Sequence, residues 1–174
     1  KAMPIVVVGL SHRTASVTVR EQFSFAESAI PQALLELREK SIAQEAVIVS
    51  TCNRVEIYAA TSLDEPGGFS ALRQFLLDYH HIDQPFDNEL YALGEPRSLE
   101  HLFKVAGGMD SMVLGETEIL GQLKKAYQLA LRYKHTGGRL NKAFQKAFNV
   151  AKQIRTDTCI QRGSVSVSSV AVEL

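Results

Sequence analysis

Two short apolar segments with a polar turn between them constrain this chain more than any other feature. Ala46–Val49 and Val55–Ala59 are rich in β-branched residues and contain no Gly or Pro, so both are predicted to be strands. The polar residues Thr51–Arg54 then form a tight strand-to-strand connection. This connection carries Cys52, which a rigid scaffold could present as a nucleophile. The residues alone leave a second interpretation open, in which Cys52 is a buried and inert thiol.

The elements around this hairpin predict an α+β fold. In chain order they are a strand at 5–10, a helix at 24–40, the two hairpin strands, a helix at 69–80 and a strand at 88–93. The capping-box pattern Ser24–Glu27 marks the start of the first helix, and a break at Pro66–Gly68 precedes the second. This βαββαβ order is that of a ferredoxin-like, split βαβ antiparallel sheet with helices on one face.

The inward face of the first helix is predicted from its apolar spacing, with the members Ile30, Ala33, Leu34 and Leu37. From residue 95 the pattern becomes helical throughout. Glycine pairs at 107–108 and 137–138 divide this part into three helices, of which the last two are predicted to pack as an antiparallel pair.

Composition excludes several classes of protein. No run of about 18 apolar residues exists and the start lacks an apolar signal segment, so we predict a cytoplasmic location. Two cysteines, Cys52 and Cys159, are too few for a disulfide framework or a Cys-rich zinc site. The five His residues show no metal-binding spacing, so no metal is predicted. No G-x-G-x-x-G motif follows a strand, so no dinucleotide site of the usual kind is expected in this chain.

The charge of the chain is divided unequally, although the net charge is zero. Residues 1–120 contain 9 Lys or Arg against 17 Asp or Glu, whereas residues 121–174 contain 10 against 2. Such an asymmetry indicates a face that binds a polyanion. The alternative is that the basic helices are simply solvated.

Three separated motifs resemble the N-terminal part of glutamyl-tRNA reductases. They are Gly9–Ala15, Ser50–Glu56 and Gly108–Gln122, and they occur in the family's order across nearly the whole chain. The resemblance implies a ferredoxin-like catalytic subdomain at 1–94, a helical subdomain at 95–160, and the start of a long spinal helix at 161–174. The Ser/Val-rich tail has a strand propensity of its own, which the resemblance overrides.

The resemblance also implies the function. Family enzymes reduce the glutamate of glutamyl-tRNA(Glu) to glutamate-1-semialdehyde, the first step of the five-carbon route to tetrapyrroles. The implied cofactor is NADPH, which would be bound by a domain that this chain is not expected to contain. The full-length enzyme is implied to be a homodimer, and its dimerisation domain is also expected to lie outside this chain. Glutamate-1-semialdehyde aminomutase is a candidate partner.

Residue roles carried over from the family centre on Cys52, whose thiolate would attack the ester and form a thioester that accepts hydride. His101 matches a family histidine that is expected to be catalytic, either by polarising the ester or by transferring a proton. The positions expected to bind substrate are Thr51, Asn53, Arg54, Ser111, Glu116, Thr117, Glu118 and Gln122. Cys159 lies outside the motifs and is expected to be structural or incidental.

Three of these roles have plain structural alternatives. His101 could instead be a structural or exposed residue of its helix, as a lone helix histidine usually is. Arg54 could grip the substrate carboxylate at two points, or it could pair with a carboxylate such as Glu56 or Glu116. Glu116 could hold the substrate ammonium group, or Glu116 and Glu118 could favour the start of a helix.

Two other functions stay open at this level. The chain could be a non-catalytic module that binds tRNA or a partner. It could also be a thiol hydrolase that uses Cys52 with His101.

Overall fold

The computed structural model describes residues 2–158 and confirms the α+β, ferredoxin-like architecture. The strands are β1 (Ile5–Ser11), β2 (Glu45–Ser50), β3 (Arg54–Ala60) and β4 (Tyr91–Leu93). They form one antiparallel sheet in the order β2-β3-β1-β4. The predicted hairpin is β2–β3, in which Ser50 is paired with Val55. The predictions for the spinal helix and for Cys159 fall outside the described residues.

Six α-helices lie in the described part of the chain. They are α1 (Val17–Phe23), α2 (Ile30–Glu39), α3 (Glu65–Tyr79), α4 (Arg97–Ala106), α5 (Glu118–Arg132) and α6 (Gly138–Thr158), with a short 3-10 turn at Glu27–Ala29 before α2. The predicted buried face of α2 is confirmed, since Ile30, Ala33, Leu34 and Leu37 are all buried.

Helices cover both faces of the sheet. The two helices of the ferredoxin-like unit, α2 and α3, lie on one face as predicted, and the later helices cover the other face, which was not predicted. Every residue of β1 and β3 is buried, which requires a layer on each side. Helices α2 and α3 form one layer, and α4, α5 and α6 form the other. In the second layer, Phe144 of α6 packs edge-on against Tyr58 of β3 at 5.6 Å between ring centroids. Burial on both faces explains why these strands are nearly continuous apolar runs instead of alternating ones.

The capping box predicted at Ser24–Glu27 is absent, because an unpredicted helix precedes it. The side chain of Ser16 accepts a hydrogen bond from Val19 N–H and starts α1. Ser24 therefore ends α1, and its hydroxyl donates to the carbonyl of Glu21 at 2.9 Å. Helix α2 begins six residues after Ser24, with Ile30.

The predicted break at Pro66–Gly68 lies instead inside the first turn of α3. The Asp64 side chain accepts from Gly67 N–H at 3.0 Å and caps the helix. Proline is tolerated there because a first-turn residue needs no intrahelical N–H bond. Strand β4 is shorter than predicted, because a turn in which Phe86 accepts from Glu89 and Leu90 precedes it.

Glu45 joins the sheet to the second helical layer. Its buried carboxylate accepts hydrogen bonds from the backbone N–H groups of Gly137, Arg139 and Leu140 at 2.6, 3.3 and 2.9 Å. These groups begin α6 and would otherwise be unsatisfied. A residue of β2 thus caps a helix more than 90 positions later in the chain.

We expect Glu45→Ala to lower the free energy of unfolding by about 1–3 kcal/mol, because it leaves buried helix-terminal N–H groups without acceptors. Urea unfolding monitored by circular dichroism measures this change. Glu39→Ala, which removes an exposed carboxylate at the end of α2, is the matched control and should change the free energy by less than about 0.5 kcal/mol. Equal effects of the two substitutions would contradict the capping role.

Candidate active site

The β2–β3 turn presents Cys52 to solvent as a free thiol. The hydroxyl of Thr51 accepts hydrogen bonds from the N–H groups of Asn53 and Arg54, each at 3.1 Å. The backbone N–H of Thr51 donates to the Arg54 carbonyl at 2.8 Å. These contacts fix the backbone on both sides of the thiol. Of the two interpretations left open by the sequence, a buried Cys52 is excluded.

Two neighbouring segments hold the same turn from outside. The backbone N–H of His12 donates to the Asn53 carbonyl at 2.8 Å. The buried guanidinium of Arg20 donates through Nε to the Cys52 carbonyl at 3.1 Å and through a terminal nitrogen to the Ala15 carbonyl at 2.7 Å. Helix α1, which the sequence did not predict, therefore places a cation directly behind the cysteine.

His12 has an unusual environment beside this turn. Its Nδ1 atom is buried and has no hydrogen-bond partner among the described residues. Burial lowers the pKa of His12, and the positive charges of Arg54 and Arg13 lower it further. The imidazole is therefore neutral at physiological pH.

A buried carboxylate, Glu56, lies on the same face of β3 as Arg54. It is fully inaccessible to solvent. One oxygen accepts the hydroxyl of Tyr58 at 2.9 Å. The other accepts the hydroxyl of Tyr91, Nε2 of His101, and a terminal nitrogen of Arg54 at 3.4 Å. Four side chains from β3, β4 and α4 thus converge on one charge.

The pKa of Glu56 reflects the balance of these contacts. Burial alone would raise it, but His101, Arg54 and Tyr91 together lower it from 4.5 to about 2. Burial and the neighbouring Glu56 charge raise the pKa of both tyrosines well above 10. The tyrosines are therefore neutral donors, and Glu56 is ionised throughout the physiological range.

Asp110 connects the α4–α5 loop to the turn. Its backbone carbonyl and one carboxylate oxygen each accept from Arg54 at 2.8 Å. Its other carboxylate oxygen contacts Nε of Arg13 at 2.9 Å. Arg54 therefore pairs with Glu56, as its structural alternative predicted, and also with Asp110, which was not predicted. The side chain of Arg13 is 56% exposed.

The remaining predicted substrate positions begin at the same loop. Ser111 donates to Glu116 at 3.2 Å, and the Glu116 carboxylate accepts from the N–H groups of Glu118 and Ile119 at 2.8 and 3.1 Å. Glu116 therefore caps α5, which is the role that the sequence offered as the alternative to holding the substrate ammonium group. The loop reverses at Gly108 and Gly115, which both have positive φ. A side chain at Gly108 would meet the Glu116 carbonyl at 2.8 Å.

The structure brings together most, but not all, of the residues predicted from the sequence. Cys52 and its neighbours meet Ser111 and Glu116 through Asp110. His101 joins the cluster through the hydrogen bond between its Nε2 and the Glu56 carboxylate. Gln122 shares a separate cleft with Thr51. The side chains of Thr117 and Glu118 are exposed at the start of α5, and Thr117 makes no capping bond.

Several residues that organise this site were not predicted as site residues, namely Arg13, Arg20, Tyr58, Tyr91 and Asp110, and Glu56 was named only as a possible partner of Arg54. A signal for one of them was available. Arg54 and Glu56 are opposite charges two residues apart in an otherwise apolar strand, and such a spacing places both on one face. Arg20 could not be found in this way, since its helix was not predicted.

Among residues 2–158, none of the helices has the length and apolar character that a membrane span requires. Nor do these residues contain a group of three or more His, Cys, Asp or Glu side chains arranged to hold a metal ion.

The fold and site define a class of protein: an α+β domain that exposes one cysteine on a β-turn above a buried charged cluster. Residues 8–158 match the family described as "Glutamyl-tRNAGlu reductase, N-terminal domain". The chain belongs to this family.

Relatives and a solved structure agree with this assignment. The chain is 48% identical over 173 residues to the glutamyl-tRNA reductase of Trichlorobacter lovleyi and 49% identical to that of Geobacter sulfurreducens, in each case over 99% of this chain and 40% of the relative. The glutamyl-tRNA reductase structure from Methanopyrus kandleri superposes with a TM-score of 0.77 at 33% identity, over 97% of this chain and 38% of that one. The chain thus spans about two-fifths of the length of these relatives.

The lowered pKa of Glu56 predicts an acid-dependent loss of stability. Because the folded-state pKa of about 2 lies below the ordinary value of 4.5, the ionised carboxylate stabilises the folded state. This contribution is complete above about pH 4.5 and is lost as the pH falls toward about 2. Glu56→Gln should lower the free energy of unfolding at neutral pH by roughly 3 kcal/mol, because it leaves Arg54 buried with one partner fewer.

Urea unfolding at a series of pH values measures this effect. The difference between the unsubstituted protein and Glu56→Gln should shrink as the pH falls below about 4.5. With Glu39→Gln, an exposed position, the difference should stay small at every pH. A Glu56→Gln difference that does not change with pH would disprove the role given to the ionised carboxylate.

Proposed function

We propose that this chain is the part of a glutamyl-tRNA reductase that accepts the glutamyl group from tRNA onto Cys52. The observation that carries the proposal is the exposed thiol on a turn that Thr51, His12 and Arg20 fix by hydrogen bonds. An immobilised nucleophile reacts faster because its approach to the substrate is already oriented. Membership of the family supports glutamyl-tRNA as the substrate.

The proposed step is an acyl transfer. The Cys52 thiolate attacks the ester carbonyl carbon, so that a sulfur–carbon bond forms and the carbon–oxygen bond to the terminal ribose breaks. The ribose oxygen leaves with the tRNA and takes up a proton. The glutamyl group remains on the enzyme as a thioester, and its own carboxylate and ammonium group are unchanged.

The charged groups around the turn suit a substrate with two charged ends. Arg13 is the accessible cation, because its side chain is 56% exposed although it pairs with Asp110. Arg54 is 2% exposed and is occupied by Glu56 and Asp110, so it can bind the substrate carboxylate only if Asp110 gives up a contact. Glu116 is half-buried nearby and is proposed to hold the ammonium group.

His101 is proposed to act from the far side of this cluster. Its Nε2 is held by Glu56, which leaves Nδ1 for a proton or for the ester. A ring nitrogen fixed by a buried carboxylate also has a fixed orientation and tautomer. The remaining substrate-binding roles, those of Thr51, Asn53, Ser111, Thr117, Glu118 and Gln122, stay predictions.

Reduction of the thioester with NADPH to glutamate-1-semialdehyde, as the first step of tetrapyrrole biosynthesis, belongs to the same proposal for the whole protein. The described residues offer no glycine-rich turn between a strand and a helix, which is the usual site for a dinucleotide. The acyl transfer to Cys52 is the part of the reaction that we assign to the described residues. The homodimer, the docking of the aminomutase and the cytoplasmic location are parts of this proposal as well.

We expect the protein, incubated without NADPH with tRNA charged with radiolabelled glutamate, to acquire label on Cys52 in a bond that hydroxylamine cleaves. Cys52→Ser should abolish labelling while tRNA binding is retained, because the substitution removes the nucleophile and little volume. Cys159→Ser is the matched control and should label normally. Persistent labelling of Cys52→Ser would contradict the assignment.

The same experiment separates the other two functions. Retained tRNA binding with no labelling of the unsubstituted protein would indicate a binding module. Turnover of simple esters as fast as that of glutamyl-tRNA would indicate a hydrolase.

The tRNA body is proposed to lie on the basic helices. Seven of their cations are exposed, namely Lys124, Lys125, Arg132, Lys134, Lys142, Lys146 and Lys152. Phosphate contacts release counterions, so binding that depends on them weakens steeply with salt.

Replacing Lys142, Lys146 and Lys152 together by Ala should weaken tRNA binding and reduce the slope of log affinity against log salt by up to about 3. Fluorescence titration at several salt concentrations measures both. The control replaces Lys40 and Arg97, two exposed cations of the acidic part of the chain, and should leave the slope unchanged. An unaltered slope in the triple variant would remove these helices from the tRNA interface.

A further inference from the structure

A cleft of about 260 Å³ lies beside the cysteine turn, at the free edge of the sheet. Strand β2 is the last strand on this side, and helices α2 and α5 rise on either side of it. The cleft reaches Thr51, the residue before Cys52. Lys125 and Glu27, which both line it, form an ion pair of 3.0 Å that links its two walls.

The walls of this cleft are apolar and its floor is polar. Phe25 and Ile30 line one wall, and Ala126 and Leu129 of α5 line the other. The floor is formed by residues 48–51, of which Ile48 and Val49 are buried and Ser50 and Thr51 are half-buried. Apolar side chains on two sides suit a planar ring inserted between them.

The floor offers both a donor and an acceptor. The backbone direction alternates along a strand, and Ala46 N–H faces away from β3, toward the carbonyl of His135 at 2.9 Å. Ile48 and Ser50 face the same way. Ile48 is only 1% exposed, so the accessible outward N–H and C=O groups are those of half-buried Ser50, which have no hydrogen-bond partner among the described residues. Adenine carries an acceptor and a donor side by side on one edge and can pair with such a backbone.

We propose that this cleft binds the terminal adenosine of the charged tRNA, to which the glutamyl group is esterified. The inference rests on the function proposed above. Ser50 and Cys52 are two residues apart, about 7 Å in an extended strand. A base seated on the Ser50 backbone therefore has its ribose, and the ester on that ribose, beside the thiol.

The amino acid itself fits this cleft less well. The one cation and one anion that line it, Lys125 and Glu27, already neutralise each other. The charged groups proposed for the glutamyl moiety, Arg13 and Glu116, belong to the other cluster. The two sites thus divide the substrate: the nucleoside binds at the sheet edge and the amino acid at the charged cluster.

A peptide strand from a partner protein is also disfavoured. Strand addition needs a row of free backbone groups along an edge. Here His135 occupies the edge at Ala46, so only Ile48 and Ser50 remain, which is too short for a stable added strand. Continuity with the exposed lysines of α5 favours a polyanion instead, since Lys125 lines this wall and Lys124 is the next residue along the helix.

The experiment combines two independent changes: a substitution that fills the cleft and a tRNA that lacks the terminal base. Ala126→Phe places a ring between the walls, and tRNA(Glu) trimmed of its terminal adenosine lacks the base. Stacking of one base contributes enough that Ala126→Phe should weaken binding of intact tRNA roughly tenfold. Trimmed tRNA should bind the variant and the unsubstituted protein equally. Gln128→Phe, an exposed position on α5 outside the cleft, is the size-matched control and should change neither affinity.

Each outcome decides the proposal. An equal loss of affinity for intact and trimmed tRNA would overturn the proposal. No loss of affinity for either tRNA would also overturn it and would leave the cleft to another ligand.

Labelling of Cys52 by glutamyl-tRNA in the unsubstituted protein tests the proposed function separately, so a failure of that function is distinguished from a failure of the adenosine site. Unaltered thermal unfolding of Ala126→Phe shows that the fold is intact. If that variant unfolds early, replacement of the terminal adenosine by uridine in the unsubstituted protein gives the deciding measurement, with weaker binding expected.

Discussion

The burial of one carboxylate, Glu56, is the constraint on which the site depends. An ionised carboxylate without solvent is costly unless several donors surround it. Its donors come from three elements that are distant in the chain: the hydroxyls of Tyr58 and Tyr91, the imidazole of His101 and the guanidinium of Arg54. Because the charge is satisfied only when β3, β4 and α4 are packed together, it locks the second helical layer onto the sheet.

The turn that carries Cys52 is held rigidly because Arg54, its last residue, belongs to the buried Glu56 cluster. Arg54 is both a member of the buried network and the residue that ends the turn, so its guanidinium cannot move without exposing Glu56. On the other side Asp110 binds Arg54 and Arg13 together, which ties the α4–α5 loop to the same place. A thiol held in this way keeps its position while its own side chain remains in solvent. This is the arrangement that nucleophilic catalysis requires.

A helix cap from a distant strand residue also supports the site. The carboxylate of Glu45, at the opposite end of β2 from the cysteine, holds the start of α6. The edge strand thus supports a basic helix at one end and the nucleophile at the other. Substrate binding on the helices and chemistry at the turn are therefore positioned by one strand, and the cleft between α2 and α5 lies along it.

The sequence by itself determined the hairpin, the ferredoxin-like order of elements and the exposed basic face of the last helices, because these follow from local apolar spacing and charge. It also singled out Cys52 and Arg54 through the motif that contains them. Only the tertiary structure decided which groups surround them. Helix α1 was missed because its pattern is weak and a side-chain cap at Ser16 starts it, and Arg20 was missed with it. The partners of Glu56 and the second helical layer could not be read from spacing, because they depend on contacts between residues that lie far apart in the chain and that only burial of a shared charge brings together.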